Sequence, residues 1–275
     1  MRPERFALFR HLDDDLWALL LTQEFDAYPN IKELLPGVPE PDFQELWNGT
    51  SGVALAAQSK AFYAKLRERY RTYSQRPLAD STVLDFGCGW GRLTRYLARD
   101  VESGNLYGCD PVGGILDVCR ANGVPATLAT SAFIPERIPF EESFDLAFSF
   151  SVFTHISEPA HAGCLRALHR SLRPGAVLVL TIRPPAYLRH SPLMRAALDS
   201  LGPDLQAALS EPRYLFVAHP ADPGHLQYQG GEMTYGETVV TLPYVRERWA
   251  PDFELLDVDL LVGDLHQLVL TLRRP

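Results

Sequence analysis

Three glycines alternate in the stretch VLDFGCGWGR, residues 83–92, behind a short apolar run that carries an acid. Gly87, Gly89 and Gly91 suit a turn with left-handed backbone angles, and their missing Cβ atoms let a ligand approach the main chain. Such a loop, opening onto a helix with free N–H groups, cradles nucleotides at the carboxyl edge of a parallel sheet. Two acids refine that chemistry. Asp110 ends the next apolar run, where its carboxylate is placed to accept from both ribose hydroxyls of an adenosine. Asp85 lies two residues before Gly87. A carboxylate there repels a pyrophosphate, which prefers a neutral loop and a helix N-terminus. It favours a ligand with positive charge at the same place. S-adenosylmethionine has an ammonium and a sulfonium there and no phosphate.

The elements that must hold these residues follow from the pattern around them. TVLDF, NLYGCD, PATLAT, FDLAFSF and AVLVLTI read as five short strands. RLTRYLAR, ILDVCRA and a segment from Pro159 to Leu172 read as the helices between them. The last of these stops at Arg173-Pro174-Gly175. This rhythm predicts an α/β fold, a Rossmann-like, mostly parallel sheet with helices on both faces. FELLDVDLLV and HQLVLTLRR flank a turn at Gly263-Asp264 and pair as a hairpin, which makes the last strand antiparallel. Four regions result: a helical extension over residues 1–79, the core over 80–183, an insertion or substrate lid over 184–250, and the final two strands over 251–275. In the extension, ALAAQSKAFYAKLRERY puts Leu55, Phe62, Leu66 and Tyr70 on one helical face.

VLDFGCGWGR, LYGCDP, FDLAFSFSVFTHI and LRPGAVLVLTI together resemble the class I S-adenosylmethionine-dependent methyltransferases. The resemblance covers residues 80–183, with 251–275 agreeing in general pattern. It implies a seven-stranded sheet with the last strand antiparallel, S-adenosyl-L-methionine as cofactor and S-adenosyl-L-homocysteine as product. It also implies that Asp85, Gly87, Cys88 and Gly89 line the methionine part, that Asp110 takes the ribose, and that Pro111 and Val112 flank the adenine. One departure stands out. Where the family often carries an acid for the adenine amino group, this chain has Ser131 and Ala132. Ser131, or a backbone carbonyl near Ala132 and Phe133, is the substitute, and Phe133 either stacks on the ring or packs in the core.

Methyl transfer from a sulfonium is an in-line displacement, and an alcohol acceptor needs a base for its proton. His155, in FSVFTHI just after the fourth strand, is the candidate base; a histidine capping the next helix is the alternative. Ser149 and Ser151 border the same edge, as contacts for cofactor or substrate. HPADPGHLQYQGGEMTYGET holds His219, Asp222, His225, Glu232 and Tyr235. His219, His225, Glu232 and Tyr235 are substrate candidates, since lids supply specificity. The Pro- and Gly-rich spacing puts no pair on one helical face, and no metal is expected. Trp47, Asn48 and Ser51, in ELWNGTSG, either close over the cofactor or pack in the core.

The formal net charge of −8 over 275 residues argues against a nucleic-acid partner, because phosphate contacts need a basic surface. Arg67, Arg69, Arg71 and Arg76 cluster near a helix end, where a solvated last turn suits the helix dipole. Cys88, Cys109, Cys119 and Cys164 show no metal spacing and read as reduced thiols. No apolar run approaches the roughly 20 residues that span a bilayer. The expectation is a soluble, cytoplasmic enzyme, monomer or homodimer, that methylates a small or medium-sized acceptor. An oxygen nucleophile comes first, such as a sugar hydroxyl or a specialised metabolite. A nitrogen or a peptide carboxylate, and a non-catalytic cofactor-binding protein of the same fold, stay open.

Overall fold

Short apolar runs become the strands of the computed structural model of this protein, which describes residues 5–22, 25, 27–220, 228–229 and 232–275. The strands are β1 (Val83–Phe86), β2 (Leu106–Asp110), β3 (Thr127–Thr130), β4 (Phe144–Ser149), β5 (Leu172–Ile182), β6 (Tyr214–Ala218), β7 (Tyr228–Gln229), β8 (Glu232–Met233), β9 (Gly236–Val240), β10 (Glu254–Leu261) and β11 (Asp264–Arg273). Seven of them form one sheet in the order β10-β11-β5-β4-β1-β2-β3. β1 runs parallel to β2 and β4, and β2 to β3, whereas β11 is antiparallel to both β10 and β5. β1 and β2 are buried at every position, as strands covered on both faces must be. β3, at the sheet edge, is not. Among the described residues no helix is long and apolar enough to cross a membrane.

The chain divides into two units, Met1–Ser131 with Pro139–Phe148, and Ala132–Ile138 with Ser149–Pro275. In the first, helix Gly52–Tyr73 buries Leu55, Phe62, Leu66 and Tyr70 to 2% exposure or less. The spacing of these residues put them on one face. Tyr70 then shares a 2.7 Å hydrogen bond with Ser81 just before β1. Helix Asp14–Thr22 is tied down by the Trp17 indole N–H, which donates to the Tyr96 carbonyl at 2.9 Å. The arginine group near the helix end is partly paired: Arg67 lies 2.5 Å from Asp14, and Arg76 Nε donates to the Asp80 carbonyl at 2.8 Å.

In the second unit, helix Glu158–Ser171 passes straight into β5. The helix ends at Ser171, just ahead of Arg173-Pro174-Gly175, and the strand starts at Leu172 rather than at Ala176, so that this tripeptide lies inside it. The reason is the reach of β11. Gly175 N–H donates to the Arg274 carbonyl at 2.8 Å, and Arg274 N–H to the Ala176 carbonyl at 3.0 Å, which continues the ladder past the last registered pair. The described residues after β5 hold more regular structure than their proline and glycine content suggests. Helices Tyr187–His190, Arg195–Ser200 and Leu205–Leu209 lead into β6, which pairs with β9. Tyr187, Leu188, Met194 and Val239 are the buried centre of a small core of their own, packed by Leu198, Leu201, Leu215 and Val217.

Candidate functional site

The loop after β1 is built on backbone. Gly87, Gly89 and Gly91 have φ of 75°, 53° and 78°, angles that only glycine takes at little cost. The N–H groups of Gly87 and Cys88 both donate to the Cys109 carbonyl, at 2.8 and 3.1 Å. This bends the chain over the end of β2. The third glycine has a packing role: a Cβ on Gly91 would lie 2.6 Å from Cys119 Sγ and 2.9 Å from Val124. It lets the loop sit against helix Gly113–Ala121.

Asp85 and Asp110 hold this loop differently. Asp110 Oδ2 accepts from Gly89 N–H at 3.0 Å and Oδ1 from Val112 N–H at 2.9 Å. Each oxygen keeps a second lone pair for a ligand hydroxyl. Burial holds its pKa above the usual carboxylate range, against the two N–H donors. Asp85 is only 2% exposed and accepts from the Thr94 hydroxyl at 2.6 Å. Burial, with the Asp110 charge adding to it, pushes Asp85 up to about 7, while the Thr94 hydrogen bond and the Arg92 charge pull the other way. Two acids share this place with too little positive charge to balance them. A cationic ligand supplies what is missing, which is how the residues present fit S-adenosylmethionine.

Around the loop, Asn48 Oδ1 accepts from the Trp90 indole N–H at 2.9 Å, so the ELWNGTSG segment is fastened to the loop through Asn48. Trp47 itself is 42% exposed and leans on Phe43, with ring centroids 6.1 Å apart. Val112 precedes helix Gly113–Ala121 and packs with Leu55, Trp90 and Ile115. Pro111 is half-buried beside it. Ser131 N–H donates to the Asp110 carbonyl at 3.1 Å, which sets Ser131 next to that acid.

In the second unit, Ala132 is exposed and Phe133 half-buried. The Phe133 carbonyl accepts from Cys164 Sγ at 3.9 Å. Ser149 is fully buried at the end of β4. Two residues on, Ser151 has φ 61°, a left-handed backbone in a residue with a side chain. Such strain collects at functional sites. It is held by Ser151 N–H donating to Thr181 Oγ1 at 2.8 Å and by Gln267 Nε2 donating to Ser151 Oγ at 3.2 Å.

His155 follows. Its Nδ1 lies 2.9 Å from the Gly236 carbonyl, and a carbonyl only accepts, so Nδ1 carries the proton. Nε2 carries the lone pair and accepts from Arg183 Nη2 at 3.4 Å. Burial and then the Arg183 charge lower the His155 pKa, with Glu237 opposing. The ring stacks on Tyr235 at 5.2 Å, and His219 meets the same tyrosine edge-on at 5.0 Å. The structure thus brings together His155, Tyr235 and His219. Glu232 is exposed, and His225 and Asp222 lie outside the described residues. Gly236 is required for this arrangement, since a Cβ on it would lie 2.1 Å from the Val217 carbonyl oxygen across the β6–β9 pair.

Sequence reasoning missed the partners of His155. Arg183 directly follows β5, 3.7 Å from Glu237, with its guanidinium 4.0 Å above the Tyr187 ring. An arginine directly behind a seven-residue apolar run at a strand's carboxyl end was a usable signal. Glu237 and Gln267 gave none, because they are single polar residues inside alternating strands.

The fold, with six strands running one way and β11 reversed, is Rossmann-like and of the methyltransferase type. Residues 83–175 match the family model described as a methyltransferase domain. Over those residues the chain is similar to methyltransferase domains, consistent with a class I S-adenosylmethionine-dependent methyltransferase. Among curated relatives, the chain is similar to a ubiquinone biosynthesis O-methyltransferase of Ruegeria pomeroyi. The two are 30% identical over 112 residues, which cover 38% of this chain and 42% of the relative. A trans-aconitate 2-methyltransferase of Deinococcus radiodurans is 28% identical over 160 residues, 58% of each chain. The chain spans about half the length of the curated relatives it matches. A solved S-adenosylmethionine-dependent methyltransferase from Clostridium acetobutylicum superposes with a TM-score of 0.54 at 15% identity, over 85% of this chain and 96% of its own. A magnesium protoporphyrin IX methyltransferase from Synechocystis, solved with bound S-adenosylhomocysteine, superposes at 0.51 and 14%, over 96% and 100%. These two likenesses speak for the fold.

Proposed function

We propose that the protein is an S-adenosylmethionine-dependent methyltransferase that acts on a hydroxyl group of a small or medium-sized acceptor. The observation that carries the cofactor is Asp85, buried under the glycine loop and raised to about 7 beside Asp110. A dinucleotide would bring more negative charge to that place, whereas a sulfonium and an ammonium relieve it. When bound, S-adenosylmethionine supplies the methyl group and departs as S-adenosylhomocysteine. The C–O bond forms as the S–CH₃ bond breaks, and the bonding pair stays on sulfur.

His155 takes the proton the acceptor oxygen must lose. Its tautomer suits this, with Nδ1–H held by Gly236 and the Nε2 lone pair met only by the long 3.4 Å hydrogen bond from Arg183 Nη2, which an acceptor hydroxyl would displace. Its lowered pKa keeps it unprotonated at neutral pH. Residues 184–250 serve as the acceptor side. The O-methyltransferase among the named relatives is in keeping with an oxygen nucleophile. Calorimetric titration of the purified chain with S-adenosylmethionine and, separately, NADH tests the cofactor: binding of the first and not the second is expected. Binding of NADH alone overturns the proposal.

A further inference from the structure

Among the described residues, three buried polar atoms around Arg183 make no hydrogen bond: Arg183 Nε, Glu237 Oε2 and Gln267 Oε1. They form one neighbourhood. Arg183 Nη2 and Glu237 Oε2 are 3.7 Å apart. Arg183 follows Ile182, which pairs with Leu268, so Gln267 takes the next position beside Arg183 across the β5–β11 pair. Tyr187 lies under the guanidinium and meets His266 edge-on at 5.4 Å. These positions are fixed. Gln267 is 2% exposed, and its amide nitrogen is committed to Ser151 Oγ, which leaves the carbonyl oxygen without a donor. Arg183 is stacked, and its side chain is 12% exposed.

A buried polar atom left unpaired costs free energy, so several at one place mark where a ligand completes the set. Their types say which ligand. Arg183 Nε only donates, while Glu237 Oε2 and Gln267 Oε1 only accept. A carboxylate or phosphate would satisfy the arginine and face two further acceptors. An ammonium would satisfy those acceptors and face the guanidinium. Arg183 and Glu237 also neutralise each other, so the site has no net charge to select an ion. A hydroxyl donates and accepts through one oxygen, and neighbouring hydroxyls serve all three atoms together.

We propose that Arg183, Glu237 and Gln267 are the acceptor subsite of this protein and that they read neighbouring hydroxyl groups of a neutral polyol, such as a sugar ring. This rests on the methyltransferase reading above and narrows its acceptor. Arg183 Nη2, 3.4 Å from His155 Nε2, links the subsite to the candidate base. A hydroxyl held by Arg183 Nε is thereby kept beside the imidazole that would deprotonate it or its neighbour.

The test is a methyl-acceptor panel assayed by S-adenosylhomocysteine release. The panel comprises methyl glycosides and nucleoside-linked sugars with adjacent hydroxyls, their single-deoxy analogues, dicarboxylic acids and phenols. Methylation of a diol-bearing sugar is expected, with kcat/KM at least about 100-fold lower for its deoxy analogue, because the buried partner is then left unpaired. Gln267→Leu and Glu237→Gln should each raise KM for that sugar about tenfold or more and leave S-adenosylmethionine affinity unchanged in calorimetry. Cofactor binding together with methylation of dicarboxylates or phenols and not of sugars overturns this inference alone. So does sugar methylation that is indifferent to both substitutions, or cofactor binding without methylation of any sugar on the panel. Absence of cofactor binding overturns the methyltransferase reading itself.

Discussion

In the loop after β1 the polar groups are mostly backbone, gathered from Asp85 to Val112 within one unit; around His155 they are side chains from β5, β9 and β11 and the turn after β4. The electrostatics differ in the same way. Asp85 and Asp110 are two buried acids, both held above their ordinary range. Around His155 an arginine faces a glutamate, and the imidazole is held below its ordinary range. The first place carries unbalanced negative charge and suits a cation. The second is balanced and buried, which keeps the imidazole uncharged. Under the proposed function, the first place would answer charge on the methyl donor and the second would take the proton of the acceptor.

The largest effect should come from the second region. His155→Ala removes the proposed base, and kcat should fall by about 10²–10⁴-fold, with S-adenosylmethionine affinity unchanged in calorimetry. A variant with full activity would break the comparison, because it would mean an acceptor already ionised, such as a carboxylate. In the first region, Asp110→Ala should weaken cofactor binding by about 1–3 kcal/mol through lost ribose hydrogen bonds, and unchanged affinity would show that the ribose lies elsewhere.

Asp85 offers a finer test of the same contrast. Burial holds its folded-state pKa at about 7, above its ordinary value of 3.8. The free protein therefore keeps a proton there that the unfolded chain has lost, and the favourable contribution of protonated Asp85 to stability fades as pH rises from about 4 to about 7. A bound cation draws the carboxyl back toward ionisation. Binding at pH 6 should then release a fraction of a proton, and affinity should rise between pH 5 and 7. Calorimetry in buffers of different ionisation enthalpy measures that release, and Asp85→Asn should abolish it. Proton uptake on binding would contradict the cationic assignment.

The two regions were unequally legible in the sequence for a physical reason. The glycine loop, Asp85 and Asp110 lie within 26 residues, and each acts through its own backbone turn or strand end, so local spacing carries the geometry. The cluster around His155 is assembled by strand pairing over long separations: Gly236 orients a histidine 81 residues away, and Gln267 holds a serine 116 away. No local pattern encodes such pairs. The helices and small core after β5 were hidden for a related reason. Pro184, Pro185 and Pro192 mask helices of only four to six residues, which are stabilised by packing on Val239 rather than by propensity.

The smallest expected effect separates the influence of Arg183 on the base from its proposed contact with the acceptor. His155 is shifted down first by burial, then by Arg183 and more weakly by His219, while Glu237 and the Gly236 carbonyl shift it up. Arg183→Met removes a downward influence, leaves Glu237 unopposed and keeps an apolar stem over Tyr187. The His155 pKa should rise. Because the unprotonated imidazole is the active form, the acid limb of the kcat profile should move to higher pH, with the plateau at alkaline pH much less affected. His155→Ala combined with Arg183→Met should show no such limb. If Arg183 serves only to pack β5 against β9, the variant loses thermal stability while the limb stays where it is, and His155 is then tuned by burial alone.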